Sequence, residues 1–234
     1  MNENTVKIAI ISDLHYALLP NTACPERRGH EMVQILNDTV RKLNEKVKPD
    51  LVLIGGDLIN FPDADEAEDL TKKLAEILSD LNMEYTVIRG NHDIEQAKFV
   101  KYFPFKEITD AGFVRIVAFD DREMPGYNAE RSEKDLERMI EAVKNFDGVA
   151  LSFQHTSLSP EGTCIYSYVN TDEILSIMRE NGYRGALSGH YHSGIELFEE
   201  KQLQFFVQSA LCEAPFVGSL LTISRDGIIK VEKF

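Results

Sequence analysis

Side chains that can ligate metal ions follow several predicted strands, at the point where each strand ends. Five of the six histidines occupy such positions, and His30 is the exception. Because the carboxyl ends of strands in an open α/β sheet meet at one edge, residues far apart in the sequence can converge there. Neutral imidazoles, carboxylates and an amide oxygen suit divalent ions such as Zn, Mn, Fe or Ni. The candidate ligands are Asp13, His15, Asp57, Asn91, His155, His190 and His192.

This set of ligands is large enough to hold two ions. A carboxylate can bridge two cations about 3.5–4 Å apart through its two oxygens. Asp13 and His15 lie two residues apart, as do His190 and His192, so each pair can point into one cavity if the backbone there is extended. Two cations lower the pKa of a shared water toward about 7, which predicts hydrolytic chemistry.

The first half of the chain alternates predicted strands and helices, which would position these ligands. Short apolar runs over residues 6–11, 51–54 and 85–88 are typical of buried strands. Between them, apolar residues recur at helical spacing over 32–47 and 67–81. Such alternation indicates crossover units and a largely parallel sheet.

The second half of the chain becomes richer in strands. Strands are predicted at 113–119 and 149–153, and helices beginning near Ser132 and Thr171 carry apolar faces. Short strands separated by hairpin turns then follow at 195–198, 204–207, 218–223 and 228–231. The alternation of strands and helices in the first half, followed by a second half rich in strands, predicts an α/β fold in which two sheets pack together with helices outside. We expect a single domain over residues 1–234, since no repeat or linker interrupts the chain.

Composition narrows the classes of partner. A net charge of −14 argues against nucleic acid and anionic membrane surfaces, because both reward clustered Lys and Arg. The three cysteines are far apart and lack a Cys-x-x-Cys pattern, which favours reduced thiols and a cytoplasmic setting. No signal-peptide pattern and no run of about 20 apolar residues is present. A small molecule is therefore the expected partner, and the sequence does not predict an oligomeric state.

Five motif blocks carry the candidate ligands. They are Asp13-Leu14-His15, Gly56-Asp57, Gly90-Asn91-His92-Asp93, His155, and Gly189-His190-Tyr191-His192. In this order, over positions 13–192, the chain resembles the calcineurin-like metallophosphoesterase superfamily. The residues preceding Gly55 and Asn91 resemble its phosphodiesterase and purple-acid-phosphatase-like members.

The resemblance implies a fold and a division of labour. The fold would be a four-layer α/β/β/α sandwich with two packed mixed sheets. Two divalent or mixed-valence ions (Mn, Fe or Zn) would be held, one by Asp13, His15 and His192 and the other by Asn91, His155 and His190, with Asp57 bridging. Asn91 and His92 would also contact the substrate. His92 would stabilise the transition state or protonate the leaving oxygen, with Asp93 orienting it.

Some positions depart from familiar subfamilies. Asn60 stands where coloured purple acid phosphatases carry a tyrosine iron ligand, so no purple charge-transfer band is expected. A single His155 stands where many cyclic-nucleotide phosphodiesterases carry a His-His pair. The long segment 16–29 could present Arg27 or Arg28 to phosphate, which guanidinium binds bidentately, or could be an ordinary surface loop. Tyr127 and Tyr191 could stack on an aromatic group of the substrate.

The leading functional hypothesis is hydrolysis of small phosphodiesters by a hydroxide that two metal ions share. A phosphomonoesterase or a nucleotide pyrophosphatase is the nearest alternative, because the motifs do not reveal subsite shape. A nuclease is disfavoured by the acidic charge balance. A non-catalytic scaffold on the same fold would have lost metal ligands, whereas all seven are present here.

Overall fold

The computed structural model describes residues 4–234. The strands are β1 (Thr5–Ile11), β2 (Leu51–Ile54), β3 (Glu84–Val87), β4 (Ile108–Ala111), β5 (Val114–Ala118), β6 (Arg122–Met124), β7 (Asn128–Glu130), β8 (Val149–Phe153), β9 (Tyr183–Ser188), β10 (Ile195–Glu200), β11 (Leu203–Val207), β12 (Ser219–Ser224) and β13 (Ile229–Lys233). The α-helices are α1 (Met32–Lys42), α2 (Ala67–Leu78), α3 (Gln96–Phe99), α4 (Glu133–Val143) and α5 (Thr171–Glu180). A π-helical turn, Leu43–Val47, extends α1, so apolar spacing continues as far as the sequence predicts.

The first sheet has the strand order β13-β12-β1-β2-β3. β1, β2 and β3 are parallel, with α1 and α2 in the connections between them. β12 and β13 complete the sheet in antiparallel pairing. The parallel core places the carboxyl ends of β1, β2 and β3 at one edge of this sheet.

The second sheet has the strand order β10-β11-β9-β8-β5-β4. Its four central strands are parallel, and the two edge strands β4 and β10 are antiparallel to their neighbours. The carboxyl ends of β8 and β9 therefore also share one edge. Both sheets are mixed, as predicted.

Alternation along β1 shows how the layers are built. Val6, Ile8 and Ile10 point into a core shared with β5, β8 and β9 of the other sheet, whereas Ala9 and Ile11 join the core beneath α1 and α2. This is the period-2 pattern of a strand buried on both faces. A third core lies between the second sheet and the helices α4 and α5. The four-layer α/β/β/α sandwich is thus confirmed.

The sequence pattern does not predict three of the short strands. β4 has four residues, and β6 and β7 have three each and form a hairpin of their own. Alternation over so few residues cannot be distinguished from a loop. Among the helices of residues 4–234, none combines the length and apolar character that a bilayer span requires. The single-domain organisation stays a prediction.

Candidate metal centre

The carboxyl ends of the two sheets meet at one point. The backbone N–H of Asp13, after β1, donates to the carbonyl of Gly56, after β2, at 3.0 Å. The His155 imidazole, after β8, contacts the carbonyl of Gly55 through Nδ1 at 2.6 Å. The backbone N–H of His190, after β9, donates to Asp13 Oδ2 at 3.0 Å. The first of these hydrogen bonds joins β1 to β2 within one sheet, and the other two join the two sheets directly beside the predicted ligands.

Four of the predicted ligands have left-handed backbone conformations. The φ angles are 56° at Asp13, 45° at His15, 53° at Asp57 and 68° at His190. Non-glycine residues rarely adopt this region, and each instance costs about 1–3 kcal/mol. The extended backbone expected around Asp13–His15 is therefore wrong. The paired ligands reach one cavity because each strand ends in a tight left-handed turn, which the surrounding hydrogen bonds maintain.

The first cluster, called half-site one, contains Asp13, His15 and His192. The Nε2 atoms of the two histidines lie 3.0 Å apart. Asp13 Oδ1 lies 3.6 Å from His192 Nε2 and 3.9 Å from His15 Nε2. His192 Nδ1 contacts the carboxylate of Glu213, so Nε2 is the nitrogen that faces the cluster.

The second cluster, called half-site two, contains Asn91, His155 and His190. His190 Nδ1 lies 3.1 Å from His155 Nε2. The remaining nitrogens of both rings contact backbone carbonyls, His190 Nε2 that of Tyr127 at 3.0 Å and His155 Nδ1 that of Gly55. Asn91 lines the same cavities as these histidines.

Asp57 stands between the two clusters. Its Oδ1 lies 3.3 Å from His155 Nε2, and its Oδ2 lies 3.5 Å from His15 Nε2. A side chain at Gly90 would collide with this carboxylate, so only glycine fits at that position. One oxygen of Asp57 thus faces each half-site, which is the arrangement required of a bridging ligand.

The donor set fits cations. Two nitrogens about 2.1 Å from one ion lie about 3.0–3.4 Å apart, as the paired histidines do. Asp13 Oδ1 and Asn91 Oδ1 are buried and have no hydrogen-bond partner among residues 4–234. Buried polar atoms without partners are costly unless something else coordinates them. The assignment of each residue to an ion stays a prediction.

The charges of the buried groups support the same fit. Burial lowers the pKa of His15 well below its usual value and, with His155 nearby, that of His190 to about 4. Both rings are therefore neutral, as metal ligation requires. Burial opposes charge on Asp57 and His155, but their mutual attraction wins. It holds the pKa of Asp57 well below its usual range and raises that of His155 to about 10. His155 therefore differs from the other two rings, since its proton would have to be displaced when a metal ion binds.

His92 lies beside the clusters and lines the cleft. Its ring makes an edge contact with His15, with centroids 4.8 Å apart, and its backbone N–H donates to Asp57 Oδ1 at 2.8 Å. Its Nδ1 lies 2.8 Å from the carbonyl of Asn60.

Asp93 does not orient the His92 ring as expected. Its carboxylate accepts hydrogen bonds from the backbone N–H groups of Gly90 at 2.8 Å and Leu58 at 2.7 Å. A buried carboxylate needs such donors, and here they tie the loop after β3 to the loop after β2. Burial, with the nearby charge of Asp57, raises the pKa of Asp93 to about 7.

A cleft of about 530 Å³ opens over the clusters. Arg27 lines it, and the Arg27 guanidinium forms no ion pair with another residue in the range 4–234. Tyr127 and Tyr191 line the cleft as well. Asn91 and Tyr127 also line a smaller cavity of about 90 Å³, next to Arg89.

Three contributors to the site carry no motif that could reveal them. Glu213 contacts His192 from the segment after β11, and Tyr166 lies over His190 with ring centroids 4.5 Å apart. Arg131 is fully buried beneath half-site two. Each acts through a contact distant in sequence, so only the fold brings it into place.

Burial and the nearby Asp13 raise the pKa of Cys212, which therefore lies beside Glu213 as a protonated thiol.

Comparisons with known proteins bear on the family and on the fold of this chain. The family model of the calcineurin-like phosphoesterases matches residues 6–194. A search of curated proteins returned no match. Among solved structures, a dimetal phosphatase from Danio rerio has a TM-score of 0.78 at 16% identity, covering 98% of both chains. The structure of TT1561 from Thermus thermophilus has a TM-score of 0.65 at 14% identity, covering 97% of this chain and 98% of its own. GAP50, described as the anchor in the inner membrane complex of Plasmodium, has a TM-score of 0.64 at 10% identity, covering 98% of this chain and 84% of its own. At these identities the structures show a shared fold.

Proposed function

The chain belongs to the calcineurin-like phosphoesterase family, as its motifs predict, and is a metal-dependent phosphoesterase; from this premise we propose that it hydrolyses small phosphodiesters. The observation that carries the proposal is the position of Asp57. Its two carboxylate oxygens face two separate histidine pairs, at 3.3 and 3.5 Å. A site for one ion would need only one of the two half-sites, so the presence of both favours two ions.

The residues divide the work as follows. Asp13, His15 and His192 would hold one ion, Asn91, His155 and His190 would hold the other, and Asp57 would serve both. When bound, two such cations supply a water that is deprotonated near neutral pH and neutralise charge on the phosphate. The neutral imidazoles, carboxylates and amide oxygen favour Mn, Fe or Zn. Residue 60 is asparagine, so this position offers no tyrosinate ligand for a ferric ion.

His92 acts on the substrate rather than on the ions. With Nδ1 held by the carbonyl of Asn60, its Nε2 is free in the cleft to donate a proton to the leaving oxygen. Asp93 is a positioning residue, because its carboxylate fixes the loop that carries Asn91 and His92. Asn91 contacts both an ion and the phosphate.

The shape and charge of the site favour diesters. Asn91 and Tyr127 line both the large cleft and the smaller cavity, so the two spaces adjoin and together leave room for two ester groups. Among residues 4–234, Arg27 is the one Lys or Arg side chain that lines the large cleft. A single guanidinium matches the single charge of a diester better than the double charge of a monoester. The net charge of −14 also supports small molecules over nucleic acid as substrates.

The cysteines bear on the setting in which the enzyme would work. All three are free, which suits a reducing compartment, and we place the enzyme in the cytoplasm on that ground. Its partner there would be a small phosphorylated molecule.

A substrate panel on ion-reconstituted protein tests the proposal. Protein stripped with chelator and reloaded with Mn, Fe or Zn should bind two ions per chain and cleave bis-p-nitrophenyl phosphate with a higher kcat/KM than p-nitrophenyl phosphate. The chelated protein is the control. A higher kcat/KM for the monoester, or for nucleotide diphosphates, would move the function to a phosphomonoesterase or a nucleotide pyrophosphatase. Absence of hydrolysis with every ion would contradict the proposal.

A further inference from the structure

Three tyrosines from separate segments line the cleft as one contiguous group and are called the tyrosine wall: Tyr127, Tyr166 and Tyr191. Tyr166 is central, with its ring centroid 6.2 Å from that of Tyr127 and 6.3 Å from that of Tyr191. Both contacts are edge-to-face. Tyr127 lies in the turn of the β6–β7 hairpin, Tyr166 in the segment between β8 and α5, and Tyr191 directly after β9.

The wall adjoins half-site two. The Tyr166 ring lies 4.5 Å from the ring of His190, and the carbonyl of Tyr127 contacts His190 Nε2 at 3.0 Å. Arg27 and Glu213 line the same cleft. A phosphate bound at the metal clusters would therefore have both aromatic rings and charged groups within the cleft around it.

Among residues 4–234, the three rings belong to none of the hydrophobic cores. Tyr127 is 56% exposed, and Tyr166 and Tyr191 are partly exposed. Within residues 4–234 their hydroxyls make no hydrogen bond, whereas buried Tyr168 and Tyr183 donate theirs to Asp121 and to the Met139 carbonyl. Tyr127 also has a φ of 62°, an unfavourable value for a bulky residue. Aromatic faces exposed in this way inside a cleft are suited to stacking on a ligand.

We propose that the tyrosine wall binds a planar ring, a nucleobase or another aryl group, carried by one ester arm of the substrate. This inference rests on the proposed phosphodiesterase function and narrows its substrate class. Stacking on aromatic side chains is tolerant of ring identity, since every base has a π-face. The wall therefore selects planar over aliphatic groups without specifying one base.

Two diesters with the same leaving group isolate the contribution of the wall. They are thymidine 5′-(p-nitrophenyl phosphate) and ethyl p-nitrophenyl phosphate, which differ only in the arm that remains on phosphorus. With the Mn-loaded enzyme we expect kcat/KM to favour the thymidine ester by about 5- to 100-fold, mostly through KM, as one stacked base contributes. Tyr166→Ala and Tyr127→Ala should bring the preference close to unity, and Tyr166→Phe should retain it. Tyr102→Ala, at a partly exposed tyrosine that does not line the cleft, is the matched control.

The ratio of the two rates separates stacking from damage to the metal site. Any loss of ions through the contact between Tyr166 and His190 affects both esters alike, and ion content is measured on each variant. Calorimetric titration with thymidine 5′-monophosphate and ribose 5-phosphate gives a readout without turnover, and the first should bind more tightly. Equal kcat/KM for the two esters in the wild type, or a preference that survives both alanine variants, would overturn the inference and leave the function intact. Hydrolysis of neither ester would instead contradict the proposed function.

Discussion

The two half-sites are built from similar residues but are held in different ways. In half-site two, both histidines are fixed by backbone carbonyls, those of Gly55 and Tyr127. In half-site one, His192 is fixed by the side chain of Glu213, and His15 Nδ1 is buried without a partner among residues 4–234. Backbone anchors are set by the fold itself, whereas a carboxylate anchor adds charge and basicity to the ring it holds.

Half-site two also rests on a buried ionic network. Arg131 makes two hydrogen bonds to Asp121, at 3.0 and 2.8 Å, and a third to Gln154 Oε1 at 3.2 Å. Gln154 in turn donates to the Leu187 carbonyl and to Ser188 Oγ, at 3.0 and 2.8 Å. The network thus links the ends of β8 and β9 immediately before His155 and His190. Half-site two is therefore fixed by folding, and half-site one is the more adjustable.

The largest effect should come from the residue that the half-sites share. Asp57→Asn removes the negative charge from a carboxylate that faces both clusters, so both ion affinities should fall and kcat should drop at least about 10³-fold. Ion content per chain, measured alongside kcat, checks this. Asp69→Asn, on the first turn of α2, is the control. Normal affinity at one half-site in Asp57→Asn would show that Asp57 serves only the other.

His92 belongs to neither half-site if the proposed roles hold. His92→Ala should keep two ions per chain and lose about 10²–10⁴ in kcat, the usual contribution of a general acid. A rival geometry exists, because His92 also clusters with His15 and Asp57 closely enough to share an ion with them. Loss of one ion in His92→Ala would make it a ligand of half-site one, and unchanged turnover would remove it from catalysis.

Breaking the network beneath half-site two should cost stability. Arg131→Met leaves the Asp121 carboxylate buried and unpaired, which should lower the free energy of unfolding by about 3–5 kcal/mol. Denaturant unfolding measures this, and half-site two should lose its ion first. Arg122→Met is the matched control, because the Arg122–Glu130 pair is exposed and should contribute no more than about 1 kcal/mol. The double variant Arg131→Met/Asp121→Leu should recover much of the loss, and full additivity of the two single variants would contradict a coupled pair.

The sequence predicts the strands, the helices and the ligands because they leave periodic or motif signals. The apolar runs of β1, β2 and β8 and the spacing in α1 indicate an α/β fold, and strand ends locate all seven candidate ligands. The order of the four layers is implied only by the family resemblance, because apolar periodicity does not encode how sheets pack. The short hairpin β6–β7 gives no such signal, although it supplies Tyr127.

Other features depend on tertiary contacts that no local pattern encodes. Arg131 resembles any surface arginine until the fold encloses it, and Glu213 is one acidic residue among 39 Asp and Glu. The expected contact between Asp93 and His92 fails for a similar reason. Adjacency in sequence suggests it, but the backbone N–H groups of Gly90 and Leu58 satisfy that carboxylate instead.

The smallest effect should come from the anchor of half-site one. Glu213→Gln keeps the shape and a hydrogen-bond acceptor but removes the charge that makes His192 a stronger donor, so ion affinity at half-site one should fall about 10- to 100-fold. A two-phase titration with Mn²⁺ measures both affinities separately, and half-site two should be unchanged because its anchors are carbonyls. Glu137→Gln, exposed on α4, is the control. Complete loss of one ion would identify Glu213 as a ligand with His192, a grouping the geometry also allows. Equal weakening of both half-sites would mean that the two are not held independently, and the contrast between a carboxylate anchor and carbonyl anchors would no longer explain the site.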